Sequence, residues 1–181
     1  MWKSLALLTV VLIMATSVTA QTTQPAIQEL PAVELAGIAT FGTPSSGIFG
    51  QLWQHWPANV DNQPGVSTTP YCYGLALMLP TSEKKGEYSY MACGKVEDAA
   101  KAPKHLLHYS VPAGTFAIFK IEGGVPEGLP NLGPMIHYVY SQWLPKSDYE
   151  TSGPFNLERY QSKDNTIELL IPIKPKNQAG K

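Results

Sequence analysis

The sequence predicts an α+β fold, a duplicated βαββ repeat whose curved antiparallel sheet carries two helices on one face and a central groove. Three observations predict it. The order strand, helix, strand, strand occurs twice along the 181 residues. A shift of 81 positions lays Pro31-Ala32 on Pro112-Ala113 and Gly42 on Gly123. Both helical stretches end at a Trp–Pro pair, Trp56-Pro57 and Trp143-Leu144-Pro145.

The elements follow in order. Residues 1–20 read as a signal peptide: Lys3 is the positive start, Leu5 to Ala15 is almost wholly apolar, and Val18-Thr19-Ala20 precedes a cut near Gln21. A permanent anchor is the rival reading, but the apolar run is short against the roughly 20 residues a bilayer needs. No stable membrane anchor is expected after cleavage, and a periplasmic or secreted protein follows. Residues 21–26 are expected to be a flexible tail, 27–174 the domain, and 175–181 a C-terminal tail.

Within the domain, Ile27 to Thr40 reads as a strand. Thr43-Pro44 reads as a helix start, with Thr as cap and Pro in the first position. Phe49, Leu52, Trp53 and Trp56 recur at helical spacing until Pro57 ends the run. Tyr71–Leu79 and Glu87–Val96 read as a hairpin around a turn at Thr81 to Gly86. The second half begins at Val111 and runs as a strand to Gly123. Leu132, Met135, Ile136, Val139, Tyr140 and Trp143 then form one helical stripe that Pro145 stops. Phe155–Gln161 and Thr166–Ile173 close the domain as strands. Pro172 lacks a donor, so it is expected at a sheet edge or bulge. With both helices on one face, the sheet's other face is expected to line the groove.

Composition excludes some functions. The 13 basic and 14 acidic residues are scattered and sum to −1, which leaves no electrostatic footprint for nucleic acid. His105-x-x-His108 lacks suitably spaced further ligands, so neither metal nor cofactor is expected. No Gly-x-Ser-x-Gly elbow and no His-Glu-x-x-His is present.

The informative strand is Phe155-Asn156-Leu157-Glu158-Arg159-Tyr160. Its period of two sends Phe155 and Leu157 one way and Glu158 and Tyr160 the other. If Phe155 and Leu157 pack on the helices, Glu158 and Tyr160 face the groove. There a carboxylate among rings attracts a cation or holds its proton more firmly. The plainer alternative is an exposed glutamate on a sheet edge.

The words Leu30-Pro31-Ala32, Tyr73-Gly74, Tyr90-Met91-Ala92-Cys93-Gly94, Val111-Pro112-Ala113-Gly114-Thr115-Phe116-Ala117, Trp143-Leu144-Pro145, Leu157-Glu158-Arg159-Tyr160 and Ile171-Pro172-Ile173 stand in one order. In them the chain resembles the GyrI-like family, the effector-binding domain of AraC-type regulators, in the SOUL/GyrI-like superfamily. The resemblance implies a central ligand groove for hydrophobic, aromatic or cationic small molecules, and it matches the family's groove glutamate to Glu158. Some relatives without a DNA-binding part are held to hydrolyse cyclopropane-containing toxins with that glutamate. Others sequester or sense ligands, and SOUL-type relatives bind tetrapyrroles. The leader and the Gly/Pro stretch Gly123 to Pro134 depart from the family, so ligand preference does not transfer.

The remaining candidates depend on hairpin register. If Cys72 and Cys93 are opposite each other, a disulfide between them is permitted. Tyr71, Tyr73, Tyr88 and Tyr90 then share one face, either as a stacking floor or as core. Trp143 ends a helix stripe and is either core or groove. The expected ligand-binding set is Tyr73, Tyr90, Trp143, Glu158 and Tyr160, with Glu158 catalytic if the protein is an enzyme. Three readings stand: an exported binding module, a hydrolase of strained electrophilic small molecules, and an envelope interaction domain with a vestigial groove.

Overall fold

The computed structural model describes residues 24–78, 86–161 and 165–176. The expected signal peptide, most of the hairpin turn at Thr81 to Gly86 and most of the C-terminal tail lie outside the described residues. The first half comprises β1 (Ala26–Leu30), β2 (Val33–Gly42), α1 (Ile48–Asn59), β3 (Val66–Ser67), β4 (Tyr71–Leu77) and β5 (Tyr88–Val96). The second comprises β6 (Leu107–Val111), β7 (Gly114–Glu122), α2 (Leu129–Tyr138), α3 (Leu144–Lys146), β8 (Tyr149–Thr151), β9 (Phe155–Gln161) and β10 (Thr166–Pro175).

These strands form one antiparallel sheet in the order β1-β7-β10-β9-β4-β5-β2-β6, with β3 on β5 and β8 on β10. The order is a palindrome about the β9–β4 seam, so the duplicated βαββ units are related by an approximate two-fold. Each unit also sends its leading strand to the other. β1 pairs with β7 and β6 pairs with β2. The single strand expected over Ile27 to Thr40 is therefore two, split at Pro31-Ala32, where Pro31 supplies no ladder donor.

That exchange forces the sheet to curl. β1 lies at one end of the strand order and β2 next to the other, yet only Pro31 and Ala32 separate them. Three Cα steps reach at most about 11 Å. Pro112-Ala113 imposes the same limit between β6 and β7. The sheet therefore rolls into a half-barrel whose inner face is filled. Leu35, Tyr73, Leu75, Met91 and Cys93 from the first half interdigitate there with Phe116, Ile118, Phe155, Leu157 and Leu170 from the second.

Both helices pack on the outer face. α1 lays Leu52, Phe49, Trp53 and Trp56 over Ala76, Tyr90 and Ala92. The second helical segment lays Met135, Ile136, Val139, Tyr140 and Trp143 over Phe119, Leu169 and Ile171, as the stripe predicts. Three helix boundaries differ from expectation. Thr43-Pro44 opens only a single 3-10 turn, Pro44–Ser46; Gly47 then adopts φ 74° and α1 begins at Ile48. Neither proline stops its helix: Pro57 lies in the last turn of α1, and the chain widens into a π turn over Val139–Trp143 before α3 carries Pro145 near its start. Pro172 is not on an outer edge. It pairs with Phe116 where β10 leaves β9 and takes β8 as its neighbour, so its missing donor falls at a change of partner.

The groove is consequently on the other side from the one expected. The face free of helices is occupied by the protein's own core, and the open space lies on the helix side, between α1 and the start of α2.

Candidate functional site

The seam strands β4 and β9 cross beneath this opening. Their pairs Cys72↔Tyr160, Gly74↔Glu158 and Ala76↔Asn156 all point to the helix side. Phe155 and Leu157 point inward, so Glu158 and Tyr160 reach the groove by alternation from an inner core rather than from helix contacts. Small side chains on β4 leave the room that the large ones on β9 use.

A cavity of about 580 Å³ occupies this space. Trp53 and Trp56 of α1, Cys72, Tyr160, and Val125 and Leu129 at the start of the second helical segment supply its largely apolar wall. Gln161, Asn165 and Thr166 add polar groups at one side. Behind that wall sits Glu158, only 3% exposed. Tyr90 and Tyr160 each donate their hydroxyl to its Oε2 at 2.5 Å, and the two hydroxyls are 3.2 Å apart. Trp53 Nε1 donates to the Tyr90 hydroxyl at 3.2 Å, and the Trp53 ring meets Tyr160 edge-on at 5.2 Å. Phe49 packs on Tyr88 and on Tyr90, each at 4.9 Å between centroids. One polar chain therefore runs from the cavity wall, through Trp53 and Tyr90, to the carboxyl.

Gly74 makes that convergence possible. A β-carbon there would overlap both the Tyr90 hydroxyl and Glu158 Oε2.

Burial dominates the electrostatics. It raises the Glu158 pKa above the usual carboxylate value, against the opposing pull of the Tyr160 and Tyr90 hydrogen bonds. Burial, and next the Glu158 charge, push Tyr90 and Tyr160 well above an ordinary phenol. Tyr88 rises to about 12, chiefly by burial and then by the Glu158 charge. Arg159 offers no compensation: alternation sends it to the opposite face, where it pairs with Glu168 at 2.8 Å and lies over the Tyr71 ring.

Of the expected site residues, Tyr90, Glu158 and Tyr160 meet. Tyr73 and Trp143 do not join them. Tyr73 is opposite Cys93 and is buried in the inner core. Trp143 packs edge-on against Phe119 at 5.2 Å under the second helical segment and borders a separate polar cavity with Tyr149. The disulfide is also corrected. The register is Tyr73↔Cys93, one residue away from Cys72↔Cys93, and a one-residue step exchanges faces. Cys72 lies toward the cavity, Cys93 toward the core, and both are free. The shared tyrosine floor dissolves for the same reason: Tyr88 and Tyr90 face the helices, Tyr71 and Tyr73 the interior. Sequence reasoning missed Trp53, Trp56 and Gly74. The signal was a helical stripe with aromatic residues at 49, 53 and 56, and the small residues Cys72, Gly74 and Ala76 alternating with large ones along one strand.

A duplicated half-barrel with a buried carboxylate beneath an aromatic cavity defines a class of small-molecule-binding domains. The chain belongs to the GyrI-like small molecule binding domain family, whose model matches residues 23–174. It is 25% identical over 154 residues to the transcriptional regulator BrlR of Pseudomonas aeruginosa, covering 81% of this chain and 54% of that protein. It thus spans about half the length of that curated relative. Among solved structures it is similar to an integron cassette protein from the mobile metagenome of Vibrio cholerae, with TM-score 0.65, 18% identity, and coverage of 83% and 96%. It is also similar to SAV2435 bound to tetraphenylphosphonium, with TM-score 0.63, 19% identity, and coverage of 84% and 94%.

Proposed function

We propose that this chain is an exported binding protein that captures hydrophobic, aromatic or cationic small molecules in the groove between its helices. The observation that carries this is a carboxyl held by two tyrosine hydroxyls directly behind the aromatic wall of a 580 Å³ cavity. Indole and phenol faces attract a cation by roughly 0.5–2 kcal/mol each. A buried acidic group with no basic partner on its own face among the described residues adds to that attraction. SAV2435, which shares the fold, is bound to tetraphenylphosphonium, a lipophilic aromatic cation. The leader-like residues 1–20 support export, and intact-mass analysis of the native protein is expected to show a chain beginning at Gln21.

Trp53 and Trp56 report on the site. Tetraphenylphosphonium is expected to shift or quench their fluorescence saturably, and Trp53→Phe to remove most of the signal. A titration that leaves the indole emission unchanged, with no heat of binding, would contradict the reading.

A hydrolase of strained electrophilic small molecules is the second reading. It is favoured by the same carboxyl, whose environment suits a proton donor flanked by two hydroxyls. Turnover decides it. An enzyme consumes a cyclopropane-containing substrate and stops doing so in Glu158→Gln while still binding it; a binding protein consumes none.

A further inference from the structure

Resting on the binding reading above, we propose that the groove exchanges a proton for a cation. Without a cationic ligand Glu158 is a neutral acid, and when a cation settles against Tyr160 it becomes a carboxylate and releases its proton to solvent. The same cavity then accepts uncharged aromatic compounds at any pH and cations increasingly as pH rises.

Geometry supports this in three ways. Both tyrosine hydroxyls donate to Oε2, so neither bond uses Oε1. The carbonyl oxygen of a neutral acid accepts two hydrogen bonds, which leaves Oε1 to carry the proton. Second, among the described residues the groups facing Glu158 supply no positive charge. From β5 come the phenols of Tyr88 and Tyr90, from β9 that of Tyr160, and from β4 the Cys72 thiol, raised to about 11 by burial. α1 presents the indole of Trp53, and β10 presents Leu169. The neighbouring cation Arg159 is committed to Glu168 on the far face. An ionised Glu158 would thus be a buried charge with hydrogen bonds but no opposite charge among the described residues, and burial outweighs the two hydroxyls in favour of the neutral acid. Third, Tyr160 lies between the carboxyl and the cavity, so a ligand's charge meets an aromatic face backed by an acid. Such a charge supplies the missing partner and favours the ionised form. The direction of the Glu158 shift agrees.

The test counts protons. Isothermal titration of the folded chain with tetraphenylphosphonium, in buffers of different ionisation enthalpy, is expected to show about one proton released per ligand below the Glu158 transition. The dissociation constant should fall about tenfold per pH unit there and level off above it. Triphenylphosphine oxide, uncharged and similarly aromatic, should bind with a pH-independent constant. Glu158→Gln should lose both proton release and the pH dependence for the cation. In parallel, carbon NMR of the Glu158 carboxyl should show its midpoint above the usual carboxylate range, falling when the cation is added. Cation binding without proton release, or an ordinary midpoint in the ligand-free protein, overturns the exchange and leaves the binding reading intact. Failure of both probes to bind at any pH overturns the binding reading and the exchange with it.

Discussion

Glu158 is costly to ionise where it stands, and that cost is measurable as stability. Its folded pKa is raised, so the native state binds more protons than the unfolded chain between the unfolded and folded values. Its contribution is therefore fully present below the unfolded value and is lost as pH rises through the folded one. Glu158→Gln keeps an oxygen for the two tyrosine hydroxyls and removes the titration. In thermal unfolding the variant should gain on wild type as pH rises, by a few degrees if the difference is about 1 kcal/mol. Parallel pH profiles for the two proteins would contradict the assignment. Gly74 supplies the second residue-scale prediction. In Gly74→Ala the new methyl meets the Tyr90 hydroxyl and Glu158 Oε2, so a loss of about 1–3 kcal/mol in denaturant unfolding is expected. Tetraphenylphosphonium binding should weaken with it. A variant as stable as wild type would show that the cluster can move aside.

Register decides which side chains an element presents, and here it was the least legible feature. Alternation within Phe155-Asn156-Leu157-Glu158-Arg159-Tyr160 was readable, and it placed Glu158 and Tyr160 together correctly. Pairing across β4 and β5 was not, because both strands carry acceptable side chains on both faces. Tyr71-Cys72-Tyr73 offers a buriable residue at every position. What fixes the register is tertiary: Leu75, Met91 and Cys93 fill the curled interior, while Ala76 and Ala92 are small enough to lie beneath α1. The cysteines follow from this. Intact mass without reductant should equal the mass with it. In native protein Cys72, beside the cavity, should react with a thiol reagent before Cys93, which waits for unfolding. A species two mass units lighter, sensitive to reductant, would refute the register. Helix ends were misread for a related reason. A proline stops a helix only where the lost bond is not otherwise tolerated, and Pro57 and Pro145 both lie in terminal turns.

At the scale of the molecule, the repeat was legible as the recurrence of Pro31-Ala32 at Pro112-Ala113, but its consequence was not. Each of those dipeptides joins a strand at one end of the sheet order to the strand next to the other end, so each half completes the other's sheet and both fill one inner core. This is why the cavity falls on the helix side. The halves should also unfold together. Residues 24–103 and 104–176 expressed separately are expected to give no folded monomer, and to regain a dispersed amide spectrum only when mixed. A folded, monomeric half would contradict the exchanged-strand account. Aromatic residues were readable as candidates throughout; which of them share a space depended on the curl, and this separated Trp53 from Trp143.

The position of a bound cation tests the central claim most directly. A crystal structure of the protein with tetraphenylphosphonium is predicted to show the ligand between α1 and the start of α2, against Trp53 and Tyr160, with its charged centre on the Glu158 side. Density for the ligand only in the polar cavity beside Trp143 and Tyr149, with the groove between the helices unchanged, would contradict it.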